Sequence, residues 1–147
     1  MRYEINILPG MKILQFAFSG EEDNPYLPHH IEDNSVAYTG THDNDTTLGW
    51  YHAADESQRK HVHDYLQSSH SAQHELNMPK DLIDMALKSN ALLAIIPMQD
   101  ILALDSSHRM NTPGTSTGNW HWRFEWQQLS SAQQESIAAA ISVSRRS

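Results

Sequence analysis

Three short apolar runs, residues 11–18 (MKILQFAF), 35–39 (SVAYT) and 91–97 (ALLAIIP), constrain this chain more than anything else in it. None alternates apolar with polar residues as a half-solvated strand does, and each gives way to polar or turn-forming residues. Strands covered on both faces read this way, so the runs predict an α/β fold with a parallel sheet flanked by helices. Between the second and third runs the period changes. One helical pattern covers about residues 46–67 and another covers 79–89, where Pro79 suits a first helical turn and Leu82, Ile83, Ala86 and Leu87 make an apolar stripe. A last helix over about 132–143 starts from a capping box, Ser130 with Gln133, and is expected to bury Ile137 and Ile141. Three strands fall short of the about five or six of a typical open sheet and of the roughly eight of a barrel. The whole chain, residues 1–147, therefore reads as an incomplete unit without a second domain.

Two connections are irregular. Residues 19–34 hold Pro25 and Pro28, which fix the backbone, with Tyr26 and Leu27 as anchors, so an ordered surface loop is expected. In residues 106–126, Pro113, Gly114 and Gly118 mark turns, and Trp120, Trp122, Phe124 and Trp126 then alternate as in a short extended piece. Trp122 and Trp126 are expected in the core; Trp120 is left open between core packing and stacking on a sugar ring.

Composition excludes several classes of function. A net charge of −8 opposes binding to nucleic acid and favours a neutral substrate, although ten histidines would erode that charge in mild acid. The absence of cysteine removes disulfides and thiolate metal sites. No stretch approaches the roughly 20 apolar residues that span a bilayer, which argues against a membrane protein. Arg2, Glu4 and Lys12 interrupt the first apolar letters, so no secretory signal is read and the cytoplasm is the expected compartment.

The candidate chemistry lies just after the second run, where Gly40 ends the strand and His42, Asp43, Asn44 and Asp45 follow in one turn. Loops at the carboxyl ends of parallel strands are where such folds place their chemistry. Asp43 or Asp45 could instead cap the next helix. A carboxylate beside His42 suits a base, a metal ligand or an acceptor for a sugar hydroxyl. Gln99 and Asp100 repeat the arrangement after the third run. Arg109, Asn111 and Asn119 in the following loop supply further hydrogen bonds or satisfy the loop's own backbone. His61, His63, His70 and His74 read as a solvated helix surface. The His42-Asp43 doublet together with the histidines of this helix, where His70 and His74 are spaced by four with Glu75 nearby, keeps a metal-dependent phosphohydrolase as an alternative.

Several longer stretches carry more information than these short patterns: LPGMKILQFAF (residues 8–18), NPYLPHH (24–30), SVAYTGTHDNDTTLGW (35–50), PMQDILAL (97–104) and RMNTPGTSTGNWHWRF (109–124). Together they resemble the C-terminal part of the 4-alpha-glucanotransferases, the amylomaltase or disproportionating-enzyme family. The resemblance implies a (β/α)8 TIM barrel, of which this chain would supply about three βα units, strands six to eight. It implies a retaining transfer of α-1,4-glucan segments between maltooligosaccharides without metal or organic cofactor. Asp43 matches the family's third carboxylate and His42 its neighbour, which hold sugar hydroxyls; Asn111 and Gln99 match substrate-contacting positions. No residue matches the nucleophilic aspartate or the acid/base glutamate. The expected partners are therefore the glucan and the missing N-terminal part of the enzyme, and the chain alone is expected to be inactive. A non-catalytic glucan-binding or complementing fragment is the second reading.

Overall fold

A computed structural model of the chain describes residues 8–69 and 73–144. Three parallel strands, β1 (Gly10–Ile13), β2 (Ser35–Tyr38) and β3 (Leu93–Ile95), lie in the order β1-β2-β3. The crossover from β2 to β3 runs through α1 (Thr47–Ala53), α2 (Glu56–Ser69) and α3 (Lys80–Lys88). After β3 come α4 (Met98–Ile101), an irregular stretch, and α5 (Ser131–Val143).

One sheet face makes the core. Ala37 packs with Leu14, Ala17, Phe18 and Ile31, with Val62 and Leu66 of α2, and with Leu82, Met85 and Ala86 of α3. Phe18 is central, its ring 6.0 Å from Tyr65 edge-on and 6.1 Å from Trp50. The other face is not covered. Successive strand residues point to opposite faces, and the register aligns Met11, Val36 and Leu93 in one row and Ile13, Tyr38 and Ile95 in the next. Met11, Leu93 and Ile95 are about half exposed there.

Several expectations are corrected. The first run is a strand only to Ile13, after which Leu14–Phe16 forms a 3₁₀ turn. A short continuous apolar run does not by its periodicity distinguish a strand from a tight helical turn. The third run shortens to Leu93–Ile95, because Pro97 has no N–H for a ladder and begins α4 instead. The pattern over 46–67 is two helices. Ala54 is extended and the Asp55 side chain accepts from the Gln58 N–H at 2.7 Å, which starts a new helix. The helix over 79–89 appears as α3, and the Ser130–Gln133 capping box starts α5. Neither Ile137 nor Ile141 is buried, however. The small side chains of α5 leave a cavity of about 180 Å³ against α3 and α4, lined by Ile83, Ile101, Ile137 and Ala140. Trp122 and Trp126 are not core residues either: Trp122 is half-buried and stacks on Phe124, and Trp126 is 72 % exposed. The aromatic row pairs with no strand and packs on itself.

The loop over 19–34 is ordered by one buried amide. Asn24 donates through Nδ2 to the Phe16 carbonyl at 2.8 Å and to Ser19 Oγ at 3.0 Å, while its Oδ1 accepts from the Tyr26 N–H at 2.8 Å. Leu27 and Ile31 then enter the core. Replacing Asn24 by alanine leaves two backbone groups without their partner and is expected to destabilise the fold by about 2–3 kcal/mol. Urea unfolding checks this: a lowered midpoint with an unchanged slope is the expected result.

Candidate functional site

The loop after β2 is a tight turn held by Asn44, whose Oδ1 accepts from the Thr41 N–H at 2.9 Å and from Thr41 Oγ1 at 2.7 Å. This closure places His42 and Asp43 at the exposed tip, so neither serves the helix that follows. The N-cap of α1 is Thr46, whose hydroxyl accepts from the Gly49 N–H, and not Asp43 or Asp45.

Asp43 is met from across the chain. Asn111 Nδ2 donates to Asp43 Oδ1 at 2.6 Å, and the Arg109 guanidinium donates to the Asp43 carbonyl at 3.0 Å. His42 Nε2 lies 3.4 Å from the same Oδ1, and the carboxylate remains 53 % exposed. On its other side the His42 ring lies 5.0 Å from the indole of Trp120. His42, Gln99, Arg109, Met110 and Trp120 line a cavity of about 210 Å³ beside this cluster. One half-exposed carboxylate, one imidazole and one amide thus converge at the carboxyl ends of β2 and β3, over a hollow with an aromatic wall. The arrangement suits a neutral, hydroxyl-rich ligand: acceptors and donors at one end, an indole face at the other.

The remaining candidates have other duties. Gln99 is buried in the cavity wall and its Nε2 donates to the His108 carbonyl at 3.3 Å, so it fixes the turn as well as facing the hollow. Asn119 satisfies its own loop, accepting from the Thr112 N–H and donating to the Thr115 carbonyl. Asp45 joins two loops: Oδ1 accepts from the Thr46 N–H, and Oδ2 accepts from Ser106 Oγ at 2.7 Å. A Cβ on Gly49 would lie 2.2 Å from that Ser106 Oγ and 2.7 Å from Asp45 Oδ1, so only glycine lets α1 approach this closely.

Asp100, expected on the rim with Gln99, is instead buried beneath it at 2 % exposure. It accepts from Thr39 Oγ1 at 2.5 Å, from Thr47 Oγ1 at 2.8 Å and from the Thr47 N–H at 2.8 Å. These bonds tie β2, α1 and α4 together under the turn that carries Asp43. Burial pushes the Asp100 carboxyl above the ordinary carboxylate value; the Thr39 and Thr47 hydrogen bonds oppose this in part, and the nearby charge of Asp45 adds to it.

The histidine-bearing middle is separate from the cluster. His61 and His63 lie on α2, and His74 is 2.9 Å from the buried Asp81, an anchor for the start of α3. His70 lies outside the described residues, and with it the His70–His74 pair. Among the described residues no three His, Asp or Glu side chains are grouped as metal ligands, and no helix is long and apolar enough to cross a membrane.

The chain as a whole is similar to known proteins of one family. Residues 2–130 match the model of a family described as 4-alpha-glucanotransferase. The chloroplastic/amyloplastic 4-alpha-glucanotransferase of Arabidopsis thaliana is 52% identical over 115 residues, 78% of this chain and 19% of that protein. The 4-alpha-glucanotransferase of Thermus thermophilus is 49% identical over 119 residues, 79% of this chain and 24% of that protein. Among solved structures, the amylomaltase of Streptococcus agalactiae in complex with acarbose superposes with a TM-score of 0.86 at 27% identity, covering 95% of this chain and 28% of that one. The chain thus spans about a fifth to a quarter of the length of the curated relatives it matches. Its mixed helix and strand architecture, the extent of the match and the identities agree: this chain belongs to the 4-alpha-glucanotransferase family.

Proposed function

We propose that this chain is the sugar-gripping portion of a 4-alpha-glucanotransferase, comprising about three βα units that correspond to strands six to eight of a (β/α)8 barrel. In this reading Asp43 accepts hydrogen bonds from two hydroxyls of one glucose unit, and His42 supports the same ring. Asn111 orients the Asp43 carboxylate, and Gln99 closes the wall of the hollow. The reaction served is retaining transfer, in which an α-1,4 bond is cleaved, the glucan is held covalently, and the segment passes to the 4-hydroxyl of another sugar. The attacking aspartate and the acid/base glutamate have no counterpart among these 147 residues.

The observation that carries the reading is the meeting of Asp43 and Asn111, 68 residues apart, on a rim shared with His42 and Trp120. Arg109 contributes from the same loop by gripping the Asp43 carbonyl. The experiment is calorimetric titration of the chain with maltoheptaose and, in parallel, with cellohexaose, which differs in carrying β-1,4 bonds. Heat of binding with maltoheptaose and none with cellohexaose is expected. No binding of maltoheptaose up to its solubility limit overturns the proposal.

A complementing role is favoured by the uncovered sheet face. The rows Met11-Val36-Leu93 and Ile13-Tyr38-Ile95 present apolar side chains where a closed barrel would place its interior, and β1 and β3 form the outer edges of the sheet. The partner in this reading is the rest of the same enzyme.

A further inference from the structure

Trp120 carries the one feature of this site that neither packing nor capping accounts for. Its φ is +63°, in the left-handed region that non-glycine residues rarely adopt and that costs a bulky side chain energy. The conformation is held by the Trp120 N–H, which donates to the Met110 carbonyl at 2.7 Å. That bond closes residues 110–120 into a loop whose interior is stitched by Asn119, Thr112 and Thr115, with Gly114 and Gly118 supplying two more left-handed turns. The two stems of this one loop do different things. One sets Asn111 against the Asp43 carboxylate, and the other sets the Trp120 indole against the His42 ring. Despite its size the indole stays 54 % exposed, and it lines the hollow with His42, Gln99 and Arg109.

A buried tryptophan would explain such a backbone by what it gains in the core. Half-exposed, this one gains little, so its outlying conformation points to a use that needs the ring at this spot. We propose that Trp120 is the stacking platform for the glucose unit held at Asp43, and that the closed loop over 110–120 is a single device setting platform and amide at a fixed separation. The C–H face of a glucose ring is apolar and its rim is hydroxylic, which matches an indole on one side and a carboxylate–amide pair on the other. Flexible aromatic contacts lose part of their value to ordering; here the backbone bond orders the ring before the sugar arrives.

This inference rests on the glucan-gripping reading above, and its test separates the two. The chain, labelled with ¹⁵N, is titrated with maltoheptaose while the indole N–H resonances of its four tryptophans are followed by NMR. The Trp120 resonance is identified by its loss in Trp120→Gly. Glycine accepts a φ of +63° freely, so this variant removes the ring while keeping the backbone. Trp120→Asn is a second ringless variant that tolerates the left-handed region without added flexibility. The expected result is the largest shift at the Trp120 indole, with affinity about three- to tenfold weaker in both variants and unfolding temperatures no lower than wild type. If wild type binds and the Trp120 resonance stays still, or both variants bind as tightly as wild type, the platform is refuted while the role of Asp43 stands. If wild type binds no maltoheptaose, the gripping reading falls and the platform falls with it.

Discussion

Replacing Asp100 by alanine is expected to lower the stability of this chain by about 2–4 kcal/mol, a large share of the roughly 5–15 kcal/mol that holds an ordinary domain together. The reason is connectivity. Three donors from two elements, the Thr39 hydroxyl at the end of β2 and the hydroxyl and N–H of Thr47 at the start of α1, converge on this carboxylate. Removing it strands the Thr47 N–H in a dry environment, and an unpaired buried donor costs more than a made bond contributes. For a domain of this size the loss corresponds to a melting temperature lower by about 5–15 °C. Asp100→Asn is the control: its oxygen still accepts from the Thr47 N–H, and both hydroxyls turn to accept from its amide, so the loss stays at about 1 kcal/mol. Equal losses in the two variants would show that volume, rather than hydrogen bonding, is what Asp100 supplies.

Asp100 also sets a pH signature. Burial raises its folded-state value above that of the unfolded chain. The folded state therefore holds the proton to higher pH, and between the ordinary value and the raised one the unfolded state binds fewer protons. Stability falls as pH rises through that window and recovers as pH drops back through it. Asparagine does not titrate. Wild type should therefore gain on Asp100→Asn as the solution is taken from neutral into mild acid, a difference that cancels the titration of the ten histidines common to both.

The second large effect concerns turnover. Maltotriose incubated with the chain is expected to remain maltotriose, with disproportionation many orders of magnitude below that of a complete retaining transferase. Double displacement needs one carboxylate to attack the anomeric carbon and a second carboxyl group, about 5–5.5 Å away, to protonate the leaving oxygen. Asp43 has neighbours, but each is committed. Both oxygens of Asp45 are taken up by Thr46 and Ser106, and Asp100 is enclosed by its three donors. Neither can take up the other half of the reaction, and losing such a group removes most of the rate enhancement. Glucose and maltopentaose accumulating at a rate typical of the family would contradict this, since some group in the chain would then have to attack the sugar.

The parts of this fold that follow from local pattern are those where one feature decides. The run over 35–39 ends at Gly40 and the Ser130–Gln133 pair opens α5, each for a reason carried by one or two residues. The break between α1 and α2 was equally local, since Asp55 with Gln58 three residues on is a cap, but the helical period on either side masks it. What local pattern does not hold is direction across the chain. Position after β3 put Asp100 and Gln99 on one rim; the turn of α4 sends Asp100 down into the core and leaves Gln99 facing the hollow. Trp122 and Trp126 were expected inside on size alone, and they pack on Phe124 at the surface because the irregular stretch that carries them never enters the sheet. The pairing of Asn111 with Asp43 spans 68 residues and no spacing carries it; the resemblance implied only that both positions serve the substrate. The left-handed backbone at Trp120 has no signature in composition at all.

The central claim is that the Asp43 carboxylate grips a glucose unit, and it is tested by comparing maltoheptaose affinity between wild type and Asp43→Asn in the same calorimeter. The substitution keeps the shape and the acceptor facing Asn111 but removes the charge, and a hydrogen bond to a charged acceptor is worth about 1.5–3 kcal/mol. Affinity at least tenfold weaker in Asp43→Asn, with unchanged melting temperature, is the predicted result; equal affinity would contradict the claim.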